Sequence, residues 1–170
     1  MSPVLKQSRW LLSGVLLGYG LWIMRTADGY HFLDDVDLAI HETGHLVFGW
    51  GGDVITALGG TLFQLIVPLA FVGYFVRARD WHAATVPLWW VGQNGWNIAR
   101  YVADARAQEL PLVGGGEHDW GFLLAEWNLL GADLTIARWI RVLSFIVMVG
   151  SAVAGWWVLQ RTRSEAEDPA

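Results

Sequence analysis

The amino-acid sequence predicts an all-α protein, a polytopic bundle of four to five transmembrane or membrane-embedded helices. Hydrophobic residues make up 54% of the 170 residues and charged residues only 16%, whereas a soluble domain carries about 25% charged residues. In lipid, only helices and closed barrels satisfy the backbone polar groups, and the apolar runs of this chain are too long and alternate too little for barrel strands. We therefore expect a single integral membrane domain with a short polar tail over about residues 161–170.

The apolar runs predict the helices one by one. Residues 10–24 lie between two arginines and predict an uncleaved first span. Residues 38–50 form a helix of about 20 Å at 1.5 Å per residue, too short to cross a bilayer alone, so this helix is expected to begin earlier, to enter from one face, or to be a membrane-embedded half-helix. The clearest span is predicted over residues 55–76, followed by a span at about 83–101, a partly apolar segment at 120–130, and a last span at about 139–159.

Charge and cysteine content exclude several classes of function. The net charge of −5 leaves no basic stripe for nucleic-acid phosphates, so no nucleic-acid partner is expected. The apolar composition instead predicts a lipid bilayer and membrane protein partners. There is no cysteine, which excludes disulfides, thiol catalysis and cysteine-ligated zinc. The basic residues divide almost evenly between the two predicted membrane faces, so they do not predict the orientation.

The sequence His41-Glu42-Thr43-Gly44-His45 fits the pattern H-E-x-x-H. On a helix, residues four apart share one face with Cβ atoms about 5–6 Å apart, which suits two imidazoles on one tetrahedral zinc. Glu42 is rotated by about 100° from His41, so it can reach a zinc-bound water as general base without being a ligand. The alternative is that both histidines merely pack within the bundle. Ionisable groups inside apolar segments are costly and favour a functional interpretation, so we predict a zinc site.

A catalytic zinc needs a third protein ligand, and the sequence offers two main candidates. Asp104 follows the predicted span at 83–101, and His118 lies in a glycine-rich loop that can fold back over a site. Asp119 and Glu117 are further candidates, although Asp119 also suits the N-cap of the following helix.

Polar residues inside the apolar helices are candidates for substrate contacts. Gln93 and Asn97 recur at helical spacing and are predicted to bind substrate, with interhelical hydrogen bonding as the alternative. His31 and His82 are expected to face solvent or lipid headgroups. The aspartates at positions 34, 35 and 37 are expected to form the solvated start of the HETGH helix.

An apolar HExxH helix followed by a glycine-rich apolar span, over residues 41–68, resembles the intramembrane zinc metalloproteases of the site-2 protease type, the M50-like peptidases. The resemblance implies cleavage of a membrane protein substrate, with His41 and His45 as zinc ligands and Glu42 as base. That family takes its third ligand from an Asp-Gly in a later helix, preceded by Asn and Pro. No Asp-Gly follows the motif here, and Asn97 and Asp104 are an approximate counterpart.

Three functions remain in competition at this stage. The first is an intramembrane zinc metalloprotease, expected in the bacterial inner membrane. The second is a non-catalytic accessory or scaffold membrane protein with a structural or degenerate metal motif, which the lack of a sizeable substrate-recruiting domain favours. The third is a membrane di-iron oxidase, because HETGH also fits H-x-x-x-H, but five histidines are too few for the several histidine boxes of such sites.

Overall fold

The computed structural model describes residues 3–26, 29–113 and 116–167, and its regular structure over these ranges is entirely helical, which confirms the all-α prediction. A short 3-10 helix, Leu130–Ala132, precedes the last α-helix. The α-helices are α1 (Pro3–Arg25), α2 (Phe32–Phe48), α3 (Asp53–Arg77), α4 (Trp81–Ala103), α5 (Asp119–Glu126) and α6 (Asp133–Glu167).

Two helical segments are long and apolar enough to be candidate membrane spans. They are α3, with a mean hydropathy of 1.9, and residues Leu130–Arg161, with a mean hydropathy of 2.1. Both exceed the roughly 20 residues that a bilayer requires. The larger number of spans expected from the sequence stays a prediction.

Helix α4 lies at the centre of the bundle and packs against α6, α3 and α1. One apolar cluster joins α4 to α5 through Ile98, Val102 and Leu123. Glycine lets α4 and α6 approach closely, since a Cβ on Gly92 would lie 2.8 Å from the backbone nitrogen of Met148. The central helix is thus fixed on several sides, and its polar residues have defined positions relative to α2 and α3.

Helices α2 and α3 meet backbone to backbone at three glycines. A Cβ on Gly44 would collide with the carbonyl oxygen of Gly59, and a Cβ on Gly60 would lie 2.5 Å from Nε2 of His41. Close helix packing therefore accounts for the paired glycines of α3. It also brings the face of α2 that carries His41 directly against α3.

Helix α2 begins at Phe32, earlier than the predicted apolar segment at 38–50. The acidic residues expected to precede the helix instead occupy its first turns, where Asp34 accepts a hydrogen bond from the backbone N–H of His31 at 2.7 Å. The expectation that these aspartates are solvated is wrong for Asp34 and Asp37, which are 5% and 0% exposed. Their partners lie on α4, which the local sequence of α2 does not reveal.

Candidate metal centre

His41, His45 and Asp119 form the one cluster of His, Asp or Glu side chains within the described ranges that has metal-site geometry. Oδ2 of Asp119 lies 3.0 Å from Nε2 of His41 and 3.3 Å from Nε2 of His45. Zinc bound at about 2.0–2.1 Å places neighbouring ligands of a tetrahedron about 3.3 Å apart. The three side chains therefore fit a zinc ion with one position left for water or substrate.

Nε2 of each imidazole faces Oδ2 of Asp119, and the contacts of the two Nδ1 atoms leave Nε2 as the atom that would exchange its proton for a metal ion. Nδ1 of His45 lies 2.8 Å from the carbonyl oxygen of Thr56, which can only accept, so this nitrogen carries the proton. Nδ1 of His41 lies 3.2 Å from Oε1 of Gln64 and donates to it. Metal-binding histidines are commonly held in this way, with the other ring nitrogen donating to a carbonyl or carboxylate oxygen.

Asp119 is the first residue of α5, and several contacts hold it at the two histidines. Its backbone N–H donates to the hydroxyl oxygen of Tyr101 at 3.1 Å, and that hydroxyl lies 3.3 Å from Asp119 Oδ2. Nδ1 of His118 accepts from the N–H of Gly121 and caps the helix. The indole of Trp120 donates to Thr61 and ties α5 to α3.

The two residues favoured as third ligand, Asp104 and His118, contact one another instead of the histidine pair. Oδ2 of Asp104 lies 3.3 Å from Nε2 of His118, and its carboxylate also accepts from the backbone N–H groups of Glu109 and Leu110. His118 turns inward as an N-cap and is 3% exposed. The geometry thus makes Asp104 and His118 supports of the loop before α5, and it favours Asp119 as the third ligand.

Burial and hydrogen bonding shift the pKa of Asp119 in opposite directions. Burial raises the pKa of Asp119, but the hydrogen bonds from His41 and His45 outweigh it and lower the pKa to about 2. Burial also lowers the pKa of His118 below its usual value, against the opposing effect of Asp104. Asp119 is therefore an anion at neutral pH, as a zinc ligand must be.

A cavity of about 1110 Å³ opens onto the cluster, and its wall includes His41, His45, Asp119 and Glu42. Glu42 is half-buried. The apolar segment Leu110–Val113 borders the same space. The cavity therefore combines the ligand cluster, a carboxylate and an apolar surface.

The predicted substrate residues differ in their access to this cavity. Asn97 lines it, whereas Gln93 is 1% exposed and is not part of its wall. Both amides donate to Oδ1 of Asp34, Asn97 at 3.0 Å and Gln93 at 3.4 Å. The interhelical hydrogen bonding considered as the alternative is therefore present for both residues.

His31 and His82 are buried, and the expectation that they face solvent or headgroups is wrong. They are 6% and 3% exposed. Nε2 of His31 lies 2.7 Å from the hydroxyl of Thr26, and Nε2 of His82 lies 3.1 Å from the hydroxyl of Ser13. Their contacts are structural ones between helices or turns.

Comparisons of the chain with protein-family models, curated proteins and solved structures find no match. The resemblance to the site-2 protease type therefore stays a prediction. The function of the chain is therefore inferred from the geometry around His41, His45 and Asp119.

Gly60→Ala is expected to disrupt the cluster through packing alone. The added methyl group would meet the His41 imidazole at 2.5 Å from Nε2, displacing the ring and weakening zinc binding, with a loss of stability of about 1–3 kcal/mol. Gly73→Ala on the same helix is the matched control, because a Cβ there has nothing within 4 Å. Zinc titration and thermal unfolding of both variants check this; unchanged zinc affinity in Gly60→Ala would contradict the close contact.

Proposed function

We propose that this protein is an intramembrane zinc metalloprotease that hydrolyses a peptide bond of a membrane protein substrate. The observation that carries the proposal is the convergence of His41, His45 and Asp119 at ligand distances on the wall of a large cavity. Glu42, the acid of the H-E-x-x-H pattern, lines the same cavity. Two imidazoles, a carboxylate and an adjacent free acid are the parts from which zinc hydrolases are built.

Helix length and surface composition support a membrane location. Helices α1 and α4, with 23 residues each, reach about 35 Å, so with α3 and α6 they give four helices long enough for a hydrocarbon core of about 30 Å. Large apolar side chains also face outward, among them Leu11 at 70% exposed and Leu143 at 61%. We propose that these four helices cross the bacterial inner membrane and that α2 lies within it.

Zinc bound by these three side chains supplies a Lewis acid that polarises a substrate carbonyl and makes a water molecule acidic near neutral pH. Glu42 lines the cavity one residue from His41. Its carboxylate takes the proton of the attacking water and delivers it to the nitrogen of the leaving peptide.

Tyr101, which belongs to the same polar stripe of α4 as Gln93 and Asn97, is a further candidate functional residue. Its side chain lines the cavity, and its hydroxyl lies 3.3 Å from the Asp119 oxygen that faces both histidines. A hydroxyl donor at this position is suited to stabilise the negative charge that develops on the oxygen of the scissile carbonyl. We assign it this role beside Glu42.

Tyr101→Phe is expected to lower kcat by about 100- to 1,000-fold, as removal of a single oxyanion donor does, with KM and zinc content unchanged. Tyr74→Phe is the matched control, because Tyr74 is 65% exposed and lies outside the cavity. Kinetics and zinc content are measured on the same preparations. A wild-type kcat in Tyr101→Phe would contradict the role, and a loss of zinc would show that Tyr101 acts by positioning Asp119.

The second candidate is a non-catalytic accessory or scaffold membrane protein. One observation favours it: the Asp119 carboxylate already contacts both imidazoles at hydrogen-bonding distances. This ion-paired cluster can join α2 to α5 without a metal. A protein of this kind would keep its function when Glu42 is neutralised.

Proteolysis in reconstituted vesicles tests the leading proposal. The purified protein is placed in liposomes with a set of fluorescently labelled single-span peptides that differ in apolar length and flanking residues. We expect cleavage of a subset, its loss with a zinc chelator, and its return with added zinc. Absence of cleavage in zinc-loaded protein across the set would favour the accessory function.

A further inference from the structure

A continuous chain of hydrogen bonds lies behind His41 and joins three helices. Nδ1 of His41 meets Oε1 of Gln64 at 3.2 Å, and Nε2 of Gln64 donates to Oδ1 of Asn97 at 3.0 Å. Nδ2 of Asn97 then donates to Oδ1 of Asp34 at 3.0 Å. Asp34 is 5% exposed and Gln64 is 2% exposed, so these two side chains have little contact with bulk water.

The direction of every bond in this chain follows from the carboxylate at its end. Both oxygens of the Asp34 side chain accept hydrogen bonds from N–H donors, and Asn97 presents its NH₂ group to Oδ1. Its carbonyl oxygen then faces Gln64, which must present its own NH₂ group in turn. The Gln64 carbonyl oxygen is left for His41, whose Nδ1 must carry the proton.

We propose that Asp34 is a positioning residue that, acting through Asn97 and Gln64, holds a hydrogen-bond acceptor on Nδ1 of His41, so that Nδ1 stays protonated when Nε2 exchanges its own proton for a metal ion. This inference rests on the proposed function, in which His41 is a metal ligand. Asp34 itself does not contact the metal ligands in this chain of bonds; it sets the orientation of two amides that would otherwise be free to turn. Its effect is on metal affinity.

The carboxylate is itself held on both oxygens. Oδ2 accepts the backbone N–H of His31 at 2.7 Å, and Oδ1 accepts Gln93 at 3.4 Å in addition to Asn97. These donors come from the start of α2 and from α4. Gln93 and Asn97, which were predicted to bind substrate, thus hold the Asp34 carboxyl group at the end of the chain.

His45 does not depend on a chain of side-chain hydrogen bonds of this kind. Nδ1 of His45 faces the backbone carbonyl of Thr56 at 2.8 Å, and a carbonyl oxygen can only accept. An amide side chain such as Gln64 can present either its oxygen or its NH₂ group, so at His41 the choice must be imposed from farther away. This difference explains why a buried carboxylate is connected to His41.

Asp34→Asn tests the proposal, because an asparagine can donate as well as accept and removes the fixed direction. We expect nitrogen-15 NMR of labelled histidine in metal-free protein to show Nδ1 of His41 protonated in the wild type and partly unprotonated in the variant; metal-free protein is used because zinc on Nε2 would itself keep the proton on Nδ1. Zinc affinity, measured by competition with a chelator, should fall about 10- to 100-fold, as it does when the partner of a ligand is removed. Asp35→Asn is the matched control, because Asp35 is exposed and contacts Tyr30 instead.

A compensating substitution distinguishes a lost hydrogen-bond direction from lost packing at position 34. In the double variant Asp34→Asn with Gln64→Glu, the introduced carboxylate accepts from His41 Nδ1 and from the NH₂ group of Asn97. Asn97 then presents its NH₂ group to position 64 and its carbonyl oxygen to position 34, the reverse of its wild-type orientation. Nδ1 of His41 again has an acceptor for its proton. We therefore expect the double variant to regain most of the lost zinc affinity, whereas a purely structural loss at position 34 would not be rescued.

Two results would overturn the proposal: an Nδ1 of His41 that is protonated to the same extent in metal-free Asp34→Asn as in the metal-free wild type, or zinc affinity lost equally in the single and double variants. If the wild type binds no zinc but the tautomer of His41 still depends on Asp34, the proposed function fails and the role of Asp34 in fixing the proton stands.

Discussion

Asp119→Ala is expected to abolish zinc binding at physiological zinc concentrations, with a loss of affinity greater than the about 100-fold that removal of a ligand's hydrogen-bond partner costs. Two imidazoles four residues apart on one helix would then remain, without the anionic donor that lies 3.0 and 3.3 Å from their Nε2 atoms. Competition titration with a chelator of known zinc affinity measures the effect.

His118→Asn is the matched control for this prediction. Asparagine is a good N-cap, so the variant keeps the start of α5 while removing the imidazole that the sequence favoured as a ligand. We expect it to lose at most about 10-fold in affinity, within the effect of supporting groups. Zinc binding that survives Asp119→Ala but is lost in His118→Asn would overturn the ligand set proposed here.

Glu42→Gln is expected to lower kcat by about 100- to 10,000-fold, the contribution typical of a general base, while about one zinc per chain remains bound. The amide keeps the shape of the side chain but cannot accept the proton of the attacking water. The assay is peptide cleavage in vesicles, run beside zinc analysis of the same sample.

Glu117→Gln provides the control for loss of negative charge, because Glu117 also lines the cavity but is exposed and lies outside the ligand cluster. We expect its kcat to stay within about twofold to threefold of the wild type, as for a surface charge with little coupling. Equal losses in both variants would mean that the cavity's charge matters and that Glu42 has no distinct role as a base.

The histidine pair was predictable because its geometry is local. Four-residue spacing on one helix places two side chains together, and the ring centroids of His41 and His45 are 4.8 Å apart. The helical class was predictable for a similar reason, since long apolar runs in a chain with few charges leave few alternatives. Both inferences need only the residues of one segment at a time.

The third member of the cluster, Asp119, was not predictable in this way, because its position depends on contacts distant in sequence. Asp119 is 78 residues from His41 and reaches it because α5 begins at Asp119 itself. The local pattern favoured His118 as a ligand, but its ring caps α5 and contacts Asp104. Which of two neighbouring residues faces the metal site is decided by where the helix begins, and helix boundaries are the least certain part of a sequence pattern.

The buried aspartates illustrate the same limit. Three acids within four residues suggest a solvated helix start, but Asp34 meets Gln93 and Asn97, and Asp37 accepts from the indole of Trp90 at 2.9 Å. Each polar stripe was visible in the sequence by itself. Their pairing depends on how α2 and α4 pack, which no single segment specifies.

The most direct test of the central claim is the zinc content of the purified protein, measured by inductively coupled plasma mass spectrometry. His45→Ala removes a proposed ligand, and His82→Ala removes a buried histidine that contacts Ser13 instead. We predict about one zinc per chain in the wild type and in His82→Ala, and a loss of that zinc in His45→Ala. A well-folded wild-type protein that binds no zinc even after zinc is supplied, or a His45→Ala variant that keeps it, would contradict the account.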